Sequence, residues 1–462
     1  MADQHYDLIV IGSGPAGQKG AINAAKLGKR VAVVERDGMM GGASVHTGTI
    51  PSKTLRETVL HLTGFAERAF YGRDYCPRDR ISAEEIARRV QMIVSREAQL
   101  VRSQFSHNRI SDLDGSARFL DANTLQITNG RETTTVRADY VLIACGTRPA
   151  RSPLIPFDGK RIIDTDQISA LSDLPREIII VGGGIIGLEY ASMFAALEMR
   201  VTVVEQRPEI LEFVDREIVE ALSYDLRELE VAFRLGEKVV AVEIEEERNR
   251  VIARLESGKT VHGDALLYSV GRQGNTDTLN LAAAGLEADA RGRLNVNEFF
   301  QTAAPHIYAA GDVIGPPALA ATSMEQGRLA TAHMFGAPFE HEANLLPYGI
   351  YTIPEIATVG QTEEQLTAAQ IPYETGLARY EELAKAQILG DETGFLKLLF
   401  HSETFRLLGV HAIGQRATEI IHIGQTVLAF GGTIQYLRDA VFNYPTLADA
   451  YKVAALNGLN KL

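Results

Sequence analysis

Two stretches of the chain share one alternation of apolar and small residues. Residues 6–37 read YDLIVIGSGPAGQKGAINAAKLGKRVAVVERD, and residues 177–207 read EIIIVGGGIIGLEYASMFAALEMRVTVVEQR. In each, a short β-branched run meets a glycine cluster and an Ala-rich stretch follows. A second β-branched run then closes on an acid. The pattern predicts strand, turn, helix and strand, a βαβ unit, twice. Glu35 stands 23 positions after Gly12, and Glu205 stands 23 positions after Gly182, so the repeat keeps its spacing.

Between these units, residues 82–109 predict a long helix. Ile86, Val90, Ile93, Val94, Val101 and Phe105 recur there at helical spacing. Strand-like runs follow and end at residues 140–144, just before Cys145, Gly146 and Thr147. Beyond the second unit, residues 238–244 and 251–255 predict charged strands leading to another at 265–270. A further strand at 306–310 meets Gly311 and Asp312. From about Leu346 the character changes, with strands such as 396–400 preceding helices such as 418–430. That tail predicts a separate α/β domain. No low-complexity linker divides the chain, so the domains are expected to pack tightly.

Composition narrows the classes. A chain of 462 residues suggests about three domains and needs no disulfide or metal staples. Lys and Arg number 46 against 59 Asp and Glu, a net charge of −13. That balance argues against nucleic acid or an anionic membrane surface as the main partner. The two cysteines, Cys76 and Cys145, are too few and too far apart for a disulfide framework, a CxxC pair or a zinc site. No run of about 20 apolar residues predicts a membrane span. The N-terminus has neither a basic nor a long apolar segment of a signal peptide. A cytoplasmic setting is the expectation.

The glycine clusters carry the chemistry. Gly12, Ser13, Gly14, Pro15, Ala16 and Gly17 form a G-x-G-x-x-G turn. The first glycine permits the tight turn, the second admits a pyrophosphate, and the third lets helix and strand pack closely. The helix N-terminus offers free N–H groups to phosphates. Glu35, followed by Arg36, can accept hydrogen bonds from a ribose diol. Gly182, Gly184, Ile185, Ile186 and Gly187, with Glu205, repeat the design. Two such sites suggest two dinucleotides, commonly FAD with NAD(P). Gly41, Gly42, Ala43 and Ser44 then open a polar helical region that carries Lys53. Asp312 ends a strand where it could hold a polyol. Leu319 and Ala320 open a helix whose positive end suits negative charge on a flavin. Arg207 is either a reader of a 2′-phosphate or a loop cation before Pro208.

These residues resemble the flavoprotein disulfide reductase family. The similarity runs through GSGPAG (12–17), PSK (51–53), IACGTRP (143–149), GGGIIGLEYA (182–191), VGRQGNT (270–276), YAAGDV (308–313), YTIPEIATVG (351–360) and the C-terminal YPTLADAY (444–451). The resemblance implies two Rossmann-like domains plus a C-terminal α/β dimerisation domain. The FAD-binding domain would be residues 1–149 completed by 273–345, the NAD(P)-binding domain 150–272, and the interface domain 346–462. It implies cofactor contacts from Gly115, Ala144, Cys145, Gly146, Thr147, Gly271, Arg272 and Gly311 as well. It also implies that Lys53 pairs with Glu189 beside the flavin, and that the chain forms a homodimer or a higher homo-oligomer.

The chain departs from the family where the thiol chemistry sits. The family normally has cysteines at Ser44 and Thr49, a His base at Tyr444 and a Glu at Asp449. A hydroxyl cannot form the redox disulfide, and a tyrosine with pKa near 10 is a poor base at neutral pH. HTGTIPSK (46–53) and FNYPTLADAYKVAALNGLN (442–460) resemble one branch that lacks the relay, the soluble FAD-dependent pyridine nucleotide transhydrogenases. That resemblance implies ping-pong hydride transfer between NADP(H) and NAD(H) through FAD. An NAD(P)H oxidase or diaphorase is the alternative enzyme, and a flavin-binding redox sensor is the alternative of another class. His46 either faces the flavin or the dimer partner, or is structural. His422 is expected in the core or an interface. Tyr444 is expected either to approach the partner's flavin or to fill the space of the absent relay.

Overall fold

The computed structural model describes residues 4–72, 75, 77, 81–168, 173–338 and 345–462. Cys76 lies outside the described residues. Of five sheets among the described residues, the three largest organise the chain. In the first, Ser111–Asp114, Val31–Glu35, Gln4–Ile11, the end of Glu132–Ile143 and Ile307–Ala309 lie side by side and parallel. The register pairs Ile9 with Ala32 and with Val141. Leu8, Ile9 and Val10 are fully buried, which explains their continuous apolar run: a parallel strand with both faces covered does not alternate.

The second sheet orders Ala232–Leu235, Arg200–Glu205, Glu177–Val181, Ala265–Tyr268 and Ile162–Asp164, all parallel. Its glycine-turn helix, Ile185–Ala196, is buried at every residue from Gly187 to Ala196. A helix enclosed on all sides is apolar all round rather than striped. The third sheet is antiparallel, in the order Tyr348–Ile350, Ile356–Gly360, Leu407–Gly414, Gly394–His401 and Tyr373–Arg379. Helices Ala417–Ala429 and Ala450–Leu459 pack on it.

Several extents differ from the sequence pattern for local reasons. The strand expected at 140–144 is the end of the longer Glu132–Ile143, whose polar first half pairs with the hairpin strand Thr124–Asn129. The strand expected at 265–270 stops at Tyr268, and the chain then turns through Gly271, which has φ +81°. The long helix runs Ala83–His107. Ser82 caps it, accepting from Glu85 N while the Glu85 carboxylate reaches back to Ser82 N.

Two features join the units. The chain leaves the first sheet through Thr147–Pro149 and returns through Arg272–Gly274, and these two segments pair as an antiparallel ribbon. Arg272 Nε donates to Thr147 Oγ1 at 2.6 Å, and Asn275 Nδ2 donates to Cys145 O at 3.0 Å. Elsewhere, buried Lys397 of the third sheet pairs with Asp215, Glu217 and Glu363. Buried Arg56 binds Glu355 at 3.2 Å and Thr352 O at 3.0 Å. Burying a charge costs several kcal/mol unless partners replace water, and here they do.

Among the described residues, no such partner meets one acid at this junction. Asp225, on helix Arg216–Glu228, is raised from 3.8 to about 6 by burial and by the nearby charges of Asp391 and Glu228. A raised carboxyl opposes folding once it ionises. Stability from this group is therefore lost as pH rises from below 4 to above 6. Asp225→Asn is expected to raise Tm at pH 7.5, by an amount equivalent to about 1–2 kcal/mol after allowance for solvent screening. The gain should vanish at pH 4, which paired thermal melts at the two pH values would check.

Candidate functional site

One cleft of about 860 Å³ receives both glycine turns. Each turn has the same backbone logic. Gly12 has φ +103°, and a Cβ there would stand 2.4 Å from Ala144 O. Gly14 faces open space, with nothing within 4 Å of a Cβ position. At Gly17 a Cβ would stand 1.9 Å from Gly12 O, so the helix rests directly on the strand end. In the second turn Gly182 has φ +110°, Gly184 faces open space, and a Cβ on Gly187 would meet Gly182 O at 2.0 Å.

Among the helices that begin at this cleft with no side-chain cap are Pro15–Lys26, Ile185–Ala196 and Ala320–Met334. Ser82 and Asp215, by contrast, cap the Ala83–His107 and Arg216–Glu228 helices, which start elsewhere. Uncapped N-termini leave N–H groups unpaired and carry the positive end of the helix dipole. Three of them opening on one cleft, two behind open glycines, fit the phosphates of dinucleotides.

The acids at the strand ends are held by backbone. Glu35 Oε2 accepts from Ser13 N at 2.7 Å and Ser13 Oγ at 2.6 Å, and its Oε1 accepts from Arg36 N at 2.9 Å. Burial nevertheless raises its carboxyl above the usual range, outweighing those bonds. Glu205 is held in the same way: Oε2 accepts from Gly183 N at 2.6 Å and Oε1 from Arg207 N at 2.9 Å. Asp312 accepts from Thr147 Oγ1 at 3.3 Å and lines the cleft.

Between the turns, Lys53 Nζ lies 2.8 and 2.9 Å from the two oxygens of Glu189. Helix Thr49–Thr63 supplies the cation and helix Ile185–Ala196 the acid, so the pair bridges the first two units. Glu189 is buried and Lys53 half-buried. Tyr351, from the third unit, completes the cluster. Its N–H donates to Glu189 Oε1 at 2.9 Å, and its ring lies 4.7 Å from Lys53 Nζ.

Most residues singled out in the sequence line this cleft, including Gly12, Gly14, Glu35, Arg36, Ser44, Thr49, Lys53, Gly115, Glu189, Gly271, Arg272, Gly311 and Leu319. Gly17, Gly41, Gly182, Gly187, Glu205 and Arg207 stand behind or beside its wall. Cys145 lines it, but desolvation pushes its thiol up to about 12, far from a thiolate at neutral pH. His46 Nε2 bonds Met40 O at 2.9 Å, a structural contact. His422 is not core: it is exposed at the cleft rim beside Gln425. Tyr444 fills no cavity of its own chain. Its side chain is 74% exposed, because the Tyr444–Pro445 turn projects from the domain.

Sequence pattern missed Asp166, Phe213 and Tyr351, all of which line the cleft. Tyr351 lay inside a quoted motif, yet nothing in that motif marks its ring as a neighbour of Lys53. Asp166 and Phe213 carry no local signal at all.

Comparison with known proteins agrees with this geometry. The family model described as pyridine nucleotide-disulphide oxidoreductase matches residues 6–327, and that family's dimerisation domain matches residues 346–455. A soluble pyridine nucleotide transhydrogenase of Mycobacterium tuberculosis is 54% identical over 461 residues, covering 99% of this chain and 98% of its own. One from Yersinia enterocolitica is 45% identical over 463 residues, covering 99% of each. Among solved structures, LpdA from Mycobacterium tuberculosis superposes with a TM-score of 0.90 at 26% identity, covering 98% of this chain and 99% of its own. The HOCl-induced flavoprotein disulfide reductase RclA from Escherichia coli gives 0.88 at 27%, with the same coverage. With both family domains matched across nearly the whole chain, and with paired glycine turns opening on one cleft, this protein belongs to the pyridine nucleotide-disulphide oxidoreductase family.

Proposed function

We propose that the chain is a flavoenzyme exchanging hydride between NADPH and NAD⁺, a soluble pyridine nucleotide transhydrogenase. The observation that carries the reading is the single cleft, where both glycine turns open on either side of the Lys53–Glu189 pair. When bound, FAD supplies a two-electron carrier for hydride. The Pro15–Lys26 N-terminus suits its pyrophosphate and Glu35 its ribose. Asp312 suits its polyol, and the Ala320–Met334 N-terminus suits negative charge on its ring. The second turn, with Glu205, suits NAD(H) or NADP(H).

The remaining work is positioning. Hydride transfer needs near-attack contact and little proton chemistry. Lys53 offers a fixed positive charge, and Glu189 and Tyr351 hold it in place. One nicotinamide site serves donor and then acceptor, which gives ping-pong kinetics. Ser44 and Thr49 line the cleft as hydroxyls, so the proposed route passes through no thiol. Residues 1–149 with 273–345 form the proposed FAD-binding domain, 150–272 the NAD(P)-binding domain and 346–462 the interface domain. The match to the family's dimerisation domain supports a homodimer, and exposed Phe430, Val441 and Tyr444 supply apolar surface in that region. Among the described residues no helix is long and apolar enough to cross a membrane. The relatives named as soluble support a cytoplasmic setting.

Anaerobic mixing of the yellow holoprotein with NADPH and thio-NAD⁺ is expected to give steady formation of thio-NADH, with parallel double-reciprocal lines. Oxygen uptake with no transfer to thio-NAD⁺ would replace this reading with an oxidase. Lys53→Met is expected to slow bleaching of the flavin by NADPH at least about tenfold, the order of one lost electrostatic contact to the reacting group, while FAD stays bound. Stopped-flow absorbance and the flavin-to-protein ratio measure the two halves of that statement.

A further inference from the structure

A cation beside the second glycine turn lies between two acids. Arg207 Nε is 3.3 Å from Glu205 Oε1, and its Nη1 is 3.8 Å from Glu212 Oε2. The two acids differ in freedom. Glu205 is 6% exposed and is fixed by the N–H groups of Gly183 and Arg207. Glu212 is 49% exposed and Arg207 45%, so both can change rotamer without unpacking the fold. Of the other charges near this strand end, Arg216 pairs with Glu209 and Glu220, and Lys259 with Glu237. Phe213, the residue after Glu212, lines the cleft and meets Tyr348 at 5.5 Å.

We propose that Glu212 sets nucleotide selectivity by holding Arg207. This rests on the reading that the second turn takes nicotinamide dinucleotides. An unphosphorylated ribose uses Glu205 as acceptor for its diol, and Arg207 then rests on Glu212. A 2′-phosphate beside Glu205 needs a counter-charge, and Arg207 supplies it by leaving Glu212. Guanidinium is suited to this, because its five donors can bridge two anions and then re-pair. A single buried acid at the strand end would repel the phosphorylated nucleotide, whereas an acid with a transferable arginine accepts both. A half-exposed pair at this distance biases an equilibrium by up to about fivefold. That suits a site working with two nucleotides, where a locked pair would exclude one of them.

The test uses FAD-loaded protein titrated with 5′-AMP and with 2′,5′-ADP by calorimetry, which isolates the adenosine end from hydride chemistry. Arg207→Gln is expected to move the ratio of the two Kd values against 2′,5′-ADP by about tenfold, the loss of a charge-assisted phosphate contact. Glu212→Gln is expected to move it toward 2′,5′-ADP by about threefold to fivefold. In an Arg207→Gln background the Glu212→Gln shift should collapse, because there is no arginine left to release. A shift of unchanged size in that background would mean that Glu212 merely repels the phosphate, and would overturn the holding role. An unchanged ratio in the single Glu212→Gln variant would overturn it too. If neither ligand binds the wild-type protein, the nucleotide reading of the second turn fails, and this inference fails with it.

Discussion

Helix backbone pressed directly onto neighbouring backbone is the constraint on which the site depends. A Cβ on Gly17 would stand 1.9 Å from Gly12 O, one on Gly187 2.0 Å from Gly182 O, and one on Gly327 2.0 Å from Ala16 O. No side chain larger than hydrogen fits at any of the three. The contacts seat the Pro15–Lys26 and Ile185–Ala196 helices at their strand ends, and bring Ala320–Met334 against the first of these. Asn23 Nδ2 then reaches Thr331 Oγ1 at 3.0 Å across the helix pair. The result is a set of uncapped N-termini opening on a common cleft, where their unpaired N–H groups suit anionic ligands.

Electrostatics then divides the cleft. The parts proposed to hold phosphates are made of backbone, and the Lys53–Glu189 ion pair lies in the same cleft. Lys53 and Glu189 come from different units and are partly withdrawn from water, so each needs the other. Tyr351 adds a third unit to the cluster through one N–H and one ring face. The charge is therefore held by contacts converging from all three units. Arg272 and Thr147 lock the ribbon through which the chain passes between the first two.

Much of this was legible along the chain. The two βαβ units, the glycine turns and the acids 23 positions beyond them are local patterns, because a tight turn and a parallel strand each impose residue types at fixed spacing. The Lys53–Glu189 pair was reached only through family resemblance: 136 positions separate the partners, and neither has a distinctive neighbourhood. His422 divides its two expectations: helix Ala417–Ala429 turns that position outward to the cleft rim while Ile420 and Ile421 face the sheet, which removes the core alternative and leaves the interface one. Tyr444 likewise occupies a position whose meaning comes from its turn, which leaves the ring exposed.

The sequence by itself determined the repeated dinucleotide architecture and put hydroxyl residues, Ser44 and Thr49, where the resemblance expects cysteines. Tertiary structure decided what surrounds them. It brought Asp166, Phe213 and Tyr351 into the cleft, and it set Arg207 between a buried acid and an exposed one. The reason is range. Turn and helix patterns act over a few residues, through backbone geometry that each residue type permits or forbids. The charge environment of a cleft is assembled from segments hundreds of residues apart, and only their packing fixes which side chains meet.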